Sequence, residues 1–586
     1  MTAGIVEANA SSTENPRDFD QAAEAFLALL LAHGSRYVFI NPGTDTFPLQ
    51  EAWARRAEQG KPSPTPIMCL HEHTAVSAAH GYFLATNQPQ TVVVHVDAGT
   101  LNAGGALHNA QRGQAGMLFC AGRAPYTWDG EMPGGKDLPI HWWQEQLDQA
   151  GIVRGFVKWH YELSRTENLA GIVERAFAVA ANEPAGPVYL TLPREVLMLP
   201  ATDVRMPGPH ASNRATAAAA DPEAIAQAAT YLARADRPLI VAGRNGRDPQ
   251  SVAPLERVAE LAGARIVYAA EFVSVTGDHP LNLGPNLAAE LPKADVVLFV
   301  DPDVPYVPNA VRPSADAVLI QIDREPLHEQ SVVWNWPMAL RITARAATAL
   351  TSLALALEDA QTASQKQKAL DRRHTIQAER KAWLQKVERR ARAKAAQAPM
   401  DGEWVAWCLK QVLPDEAIVV EDVVTNRGWI QTHLMRNEPG TYFAPGGSSL
   451  GWPQNAAIGI KLARPDRPVV AITGDGGFVF GNPLASLWTA QKAGAPALTV
   501  VFNNGGYNAS KAPIRELYPE GAVVRANDGV VTAIDPTPNY AQIAQACGAF
   551  GATVRDPAEL ESTLRRALDE IQHGRSAVVD AVLKPI

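Results

Sequence analysis

Cysteine is scarce in this chain of 586 residues: Cys69, Cys120, Cys408 and Cys547 are the four, and they lie far apart. None of them shares the spacing of a metal-binding pair, so neither a disulfide framework nor a zinc site is expected, and a reduced, cytoplasmic protein is the natural reading. Long apolar runs are missing too. No window approaches the ~20 apolar residues needed to span a bilayer, and the opening MTAGIVEANASSTENPRDFD carries no apolar signal core. Positive charge is not in surplus: 52 Lys and Arg stand against 61 Asp and Glu, a net charge of −9, which argues against a nucleic-acid surface. What is left is an ordinary globular composition, 46% hydrophobic and 19% charged, in a chain too long for one core.

After a flexible N-terminus, 1–17, residues 18–197 alternate helical text such as AAEAFLALLLAHG with strand text such as RYVFINPG, TVVVHVDAGT and GPVYLTLPREV. A polar, alanine- and proline-containing stretch follows to about 217. The second segment, 218–352, has RPLIVAGR, ARIVYAA, ADVVLFVD and AVLIQID as strands. A basic helical linker, 353–399, reads as a solvated connecting helix, with a docking surface for a partner as the alternative. The third segment, 400–586, contains AIVVED, RPVVAITGDGG, ALTVVFNNGGY and SAVVDAVL. Strands separated by helix-length segments imply an α/β protein of three consecutive doubly wound parallel-sheet domains.

The most informative stretch is ITGDGGFVFGN, residues 472–482, where an acidic residue interrupts glycines at the end of an apolar strand. A charge at a strand end needs a partner, and glycines there suit a close backbone approach. In a parallel sheet the neighbouring strand end lies alongside. Here it is ALTVVFNNGGY, which sets Asn504 opposite Asp475 at the edge where open α/β folds bind ligands. A carboxylate, an amide oxygen and a peptide carbonyl are hard donors that suit Mg²⁺, which often takes further oxygens from a phosphate. Gly476 and Gly477 would let a diphosphate lie against the backbone near the next helix.

The series of strand, Gly474-Asp475-Gly476, 26 intervening residues, Asn503-Asn504 and Gly506-Tyr507 resembles the signature of thiamin-diphosphate enzymes. The chain is similar over nearly its whole length to the group containing acetolactate synthase, benzoylformate decarboxylase and pyruvate decarboxylase. The resemblance implies Mg²⁺ held by Asp475, the Asn504 side chain and the Gly506 carbonyl, with Gly474, Gly476, Gly477 and Tyr507 around the cofactor and Thr425 and Asn426 at its diphosphate. It implies further that Glu72, in CLHEHTAVSAAHGYFLAT, is the buried glutamate that binds the aminopyrimidine and shares a proton with it at neutral pH. Taken alone, Glu72 is equally a charge favourable to a helix N-terminus. In APGGSSLGWPQNAAIG, Leu450 takes the place of the wedge that bends the cofactor, and the Ser448 carbonyl that of the acceptor for its amino group.

On the substrate side, FINPGTDTFP resembles the NPG(S/T) turn of benzoylformate decarboxylases, with Thr44 near the substrate carboxylate, and His95 stands where that branch has an active-site histidine. A histidine there could relay protons. Lys158 matches a lysine of acetolactate synthases, and His141, Trp142, Trp143 and Gln144 fall at a pocket entrance, the tryptophans alternatively in a core or interface. Ser510 replaces the catalytic glutamate of pyruvate decarboxylases. The turn in LIVAGRNGRD is too short a match for a dinucleotide site, so FAD is not assigned.

The resemblance thus implies a thiamin diphosphate- and Mg²⁺-dependent enzyme that decarboxylates a small 2-oxo acid and transfers the acyl carbanion to a carbonyl acceptor, as acetolactate synthase does. The alternatives are non-oxidative decarboxylation of the benzoylformate type, an FAD-containing oxidase, and a catalytically silent cofactor-binding protein. It also implies a homodimer or homotetramer with active sites shared between two subunits. Neither nucleic acid nor a membrane is expected as a partner.

Overall fold

The computed structural model describes residues 17–208, 214–269, 271–526 and 530–585. The expected flexible N-terminus lies outside these, apart from Arg17, which opens the strand Arg17–Phe19, paired antiparallel with Ala201–Val204. By internal contacts the chain divides into two units, one reaching to Ala215 and including Gly447–Ser449, the other comprising 216–446 and 450–586.

The first unit is built on a six-stranded parallel sheet in the order Thr65–Met68, Tyr37–Ile40, Gln90–Val94, Met117–Arg123, Pro187–Pro193, His160–Glu162. Its inner strands are buried throughout, and the runs VVV and LFC are continuous apolar text because helices cover both faces. One of those helices, Ala22–Ala32, is buried along nearly its whole length, which explains its uninterrupted apolar character. TVVVHVDAGT does not continue as a strand. The strand stops at Val94, His95 turns the chain, and Val96–Asn102 is a helix.

The second unit holds two parallel sheets. The five-stranded one runs Arg265–Tyr268, Pro238–Ala242, Val296–Val300, Val318–Asp323, Leu340–Thr343, and the six-stranded one Tyr442–Phe443, Ile418–Asp422, Val469–Gly474, Leu498–Asn503, Ala577–Val582, Phe550–Val554. The basic stretch forms the 30-residue helix Ala363–Arg392, opened by a capping box between Thr362 and Gln365. It is not merely solvated. Arg372 donates to the carbonyls of Ala262 and Gly263 at the end of the helix Val252–Ala262, Arg380 is buried against the carbonyls of Gly277 and Asn282, and Arg390 pairs with the fully buried Glu403. Much of the positive charge therefore serves carbonyls and carboxylates of the same unit, and arginine's planar set of donors suits both.

Candidate functional site

In the first unit, Glu72 opens the helix Glu72–Thr86, whose cap is the His71 imidazole accepting from the His73 N–H. Glu72 is buried, with 5% of its surface exposed, and both carboxylate oxygens are engaged: Asn41 Nδ2 donates to Oε1 at 2.9 Å and Asn102 Nδ2 to Oε2 at 3.2 Å. Those asparagines come from the ends of two neighbouring elements, the strand Tyr37–Ile40 and the helix Val96–Asn102. Gly99 lies close by: a Cβ there would stand 3.3 Å from Glu72 Oε1 and 3.0 Å from Val94 Cβ, a tight fit. A carboxylate held so firmly by neutral amides is built into the fold, beyond what a helix-terminal charge requires.

His95 opens that same helix Val96–Asn102, so its ring stands on the sheet edge that carries Glu72. Its Nδ1 lies 2.5 Å from Oδ1 of the buried Asp45, and Gln144 contributes a further side-chain hydrogen bond. The bond to Asp45 outweighs the opposing effect of burial and raises the imidazole above its ordinary pKa, favouring the charged form. Thr44 is exposed, and its carbonyl accepts from Arg194 Nη1 at 3.0 Å; the buried Arg194 also binds the carbonyls of Gly134 and Gly135 and the Asp137 carboxylate. One arginine thereby ties the NPGT turn to the segment before His141.

The aromatic segment divides differently from the expected pocket entrance. His141 is fully buried and Gln144 nearly so, whereas Trp142 and Trp143 are exposed in this chain. Burial, with Arg194 nearby, lowers the His141 pKa and keeps the ring neutral. Lys158 has a structural task. Its ammonium donates to the carbonyls of Val179, Asn182 and Pro184, closing the end of the helix Leu169–Ala181. The lysine that matches acetolactate synthases thus caps a helix. Lys158→Met should lower Tm by a few degrees and leave the product distribution unchanged; calorimetry and product analysis check both halves.

In the second unit, Asp475 begins a short helix directly after the strand Val469–Gly474. The carboxylate is buried, with 2% exposed, and accepts from Gly476 N–H through Oδ1 and from Gly506 N–H through Oδ2, both at 2.8 Å. Burial raises its pKa, opposed by hydrogen bonds from backbone N–H groups, those of Gly476 and Gly506 foremost. Asn504 is 7% exposed, and its Oδ1 is buried without a hydrogen-bond partner. A buried carboxylate held by backbone N–H groups, on the strand end next to a buried amide oxygen with no hydrogen-bond partner, fits a metal ion of the hard kind. The preceding Asn503 turns away, donating to the Asp580 carboxylate at 3.0 Å. The Gly506 carbonyl accepts from Asn508 N–H at 3.0 Å, which leaves its second lone pair.

The glycines of this motif have other reasons than the expected diphosphate cradle. A Cβ at Gly476 would meet the Tyr507 ring at 2.5 Å, and one at Gly477 the Thr473 hydroxyl at 2.6 Å, whereas Gly474 faces open space. Thr425 is exposed. Asn426 is buried, and a Cβ on Gly402 would stand 2.0 Å from its Oδ1. Leu450 is half-buried just before Gly451, whose φ of +83° caps the helix Trp452–Ala463. Ser448 belongs to the first unit, its hydroxyl 3.2 Å from His108 Nε2, and Asn109 holds the adjacent Ser449 through both backbone groups. Ser510 is exposed on the helix Asn508–Leu517.

Next to the Asp475 strand, Glu421 and Asp422 end the strand Ile418–Asp422, both buried, and Arg427 Nε pairs with Glu421 at 3.0 Å. Burial, reinforced by Glu421, pushes Asp422 up to about 7. The folded chain therefore holds this proton to a higher pH than the unfolded chain, and the stability it contributes is lost as pH rises from about 4 through 7. Asp422→Asn should raise Tm by a few degrees at pH 8, with the gain shrinking toward pH 5, as calorimetry at the two pH values would report.

Among the described residues no helix is long and apolar enough to cross a membrane. Residues 20–152 match the N-terminal, and residues 422–581 the C-terminal, TPP-binding domain of thiamine pyrophosphate enzymes, together about half of the chain. Benzoylformate decarboxylase of Pseudomonas aeruginosa is 26% identical over 500 residues, covering 82% of this chain and 85% of its own length. Sulfoacetaldehyde acetyltransferase of Rhodobacter capsulatus is 26% identical over 594 residues, covering 96% and 94%. In fold, the chain is similar to the thiamine diphosphate-dependent 4-hydroxybenzoylformate decarboxylase of Rhodococcus jostii RHA1, with a TM-score of 0.75 at 20% identity and coverage of 97% and 99%. With both cofactor-binding domains matched, the chain belongs to the thiamine pyrophosphate enzymes.

Proposed function

We propose that this enzyme is a thiamin diphosphate- and Mg²⁺-dependent, non-oxidative decarboxylase of a 2-oxo acid, of the benzoylformate decarboxylase type. The observation that carries this reading is the joining of two proton-handling groups: the helix opened by His95 supplies Gly99 and Asn102 to the Glu72 carboxylate, so acid and base share one sheet edge. The names of the benzoylformate-cleaving relatives agree with it.

In this reading Asp475, Asn504 and the Gly506 carbonyl hold Mg²⁺, while Gly474, Thr425, Tyr507, Leu450 and Ser448 bind the cofactor. Glu72 binds its pyrimidine ring and exchanges a proton with it. When bound, thiamin diphosphate supplies the electron sink that accepts the pair released as CO₂ leaves. Thr44, whose backbone is pinned by Arg194, orients the substrate carboxylate. His95, whose charged form Asp45 favours, delivers the proton that completes the aldehyde. The smallest active unit in this reading is a homodimer, and the four cysteines, none of them in a disulfide, accord with a cytoplasmic setting.

The test is a product analysis by mass spectrometry with thiamin diphosphate, Mg²⁺ and a panel of 2-oxo acids including benzoylformate and pyruvate, with and without an acceptor aldehyde. Aldehyde equal to the CO₂ released is the expected result. A 2-hydroxyketone or acetohydroxy acid as the main product would overturn decarboxylation in favour of the carboligase.

A further inference from the structure

The backbone around His95 is shaped for one contact. A Cβ on Gly43 would stand 2.0 Å from His95 Nδ1, and a Cβ on Gly122 only 1.6 Å from Asp45 Oδ2. Two glycines on two different elements thus leave the volume that the carboxylate and the imidazole fill. Directly after His95, Val96 takes φ = +29°, which a β-branched residue adopts only under strain. Its N–H points to Asp45 Oδ2 at 3.5 Å. Asp45 itself is buried, with 3% exposed, while the His95 side chain keeps 25% of its surface open.

We propose that Asp45 is a positioning residue of the reaction, holding His95 with its Nδ1 proton on the Asp45 carboxylate so that Nε2 is the atom that exchanges a proton with substrate. This rests on the reading of His95 given above. A carboxylate on Nδ1 fixes the ring's tautomer and orientation and stabilises the imidazolium, which favours the acid form of His95. The other groups facing the ring are Asp97 on its own helix, which accepts from Gln146, and Gln144 and the neutral His141 from the segment before Gln149. Asp97 lends the same sign of support from a greater remove, whereas Asp45 touches the ring.

Asp45→Asn preserves shape and removes the charge, leaving burial to depress the histidine. The alkaline limb of the kcat–pH profile should then move at least one unit toward acid, making kcat at pH 8 about tenfold lower relative to its value at pH 6 than in the wild type. A role confined to structure would lower kcat by one factor at every pH, and that result would overturn the proposal. A second measurement does not depend on the variant's folding. In histidine-labelled full-length protein, the His95 ring resonance, assigned by its loss in His95→Gln, should titrate above 6.5; titration below 6.5 would equally overturn the proposal. The two readings fail separately. Unchanged aldehyde formation in His95→Gln would remove His95 from the chemistry, whereas an inactive His95→Gln beside an unmoved Asp45→Asn profile would remove only the role of Asp45.

Discussion

Glu72→Gln should reduce turnover by about 100-fold or more while cofactor and Mg²⁺ affinity stay near wild type. The carboxylate is buried and each of its oxygens accepts one amide N–H, from Asn41 and from Asn102. Glutamine keeps the volume and one acceptor oxygen, so only one of the two asparagines must rotate its amide to meet the new NH₂ group. The ability to take and return a proton is lost. Titration of cofactor binding beside steady-state kinetics separates the two effects, and loss of H/D exchange at C2 of the bound cofactor would locate the defect before decarboxylation. Turnover near the wild-type rate would show that Glu72 is a structural carboxylate.

Asp475→Ala should act on binding. Removing the carboxylate leaves the N–H groups of Gly476 and Gly506 without their acceptor and Asn504 Oδ1 without the charge that would share a cation with it. Mg²⁺-dependent affinity for thiamin diphosphate should fall at least ~100-fold, and Asn504→Ala should lose it in the same direction, since each removes a direct donor. The readout is the apparent Kd of the cofactor as Mg²⁺ is varied. A wild-type Mg²⁺ dependence in Asp475→Ala would mean the metal is held elsewhere.

Much of this architecture is legible because buried parallel strands are written as apolar runs, and VVAITG and LTVVFN announce both the sheet and its carboxyl edge. The pairing of Asp475 with the strand end at Asn504 follows from the same rule. Less legible is what turns a residue away from the position that spacing gives it. Lys158 matches a lysine of acetolactate synthases, yet a helix ending nearby offers it three carbonyls. Asn426 reads as a diphosphate contact, and its burial in the space left by Gly402 is not visible in its own neighbours. Asp45 was hidden for the opposite reason. Its partner, His95, lies fifty residues on, and the space for the pair is made by Gly43 and Gly122, whose purpose cannot be read from their own neighbours in sequence. An aspartate just after an NPGT turn was the available signal. Asn41 and Asn102 are alike in this, since amides that hold a carboxylate carry no local motif.

The central claim is that these residues form a working thiamin diphosphate site acting on a 2-oxo acid. Its most direct test is the CO₂ released from benzoylformate and other 2-oxo acids by the full-length protein, measured with both thiamin diphosphate and Mg²⁺, with each alone, and with neither. The account predicts release that needs both and disappears in Glu72→Gln. Cofactor binding at full occupancy with no CO₂ from any of the acids would contradict it.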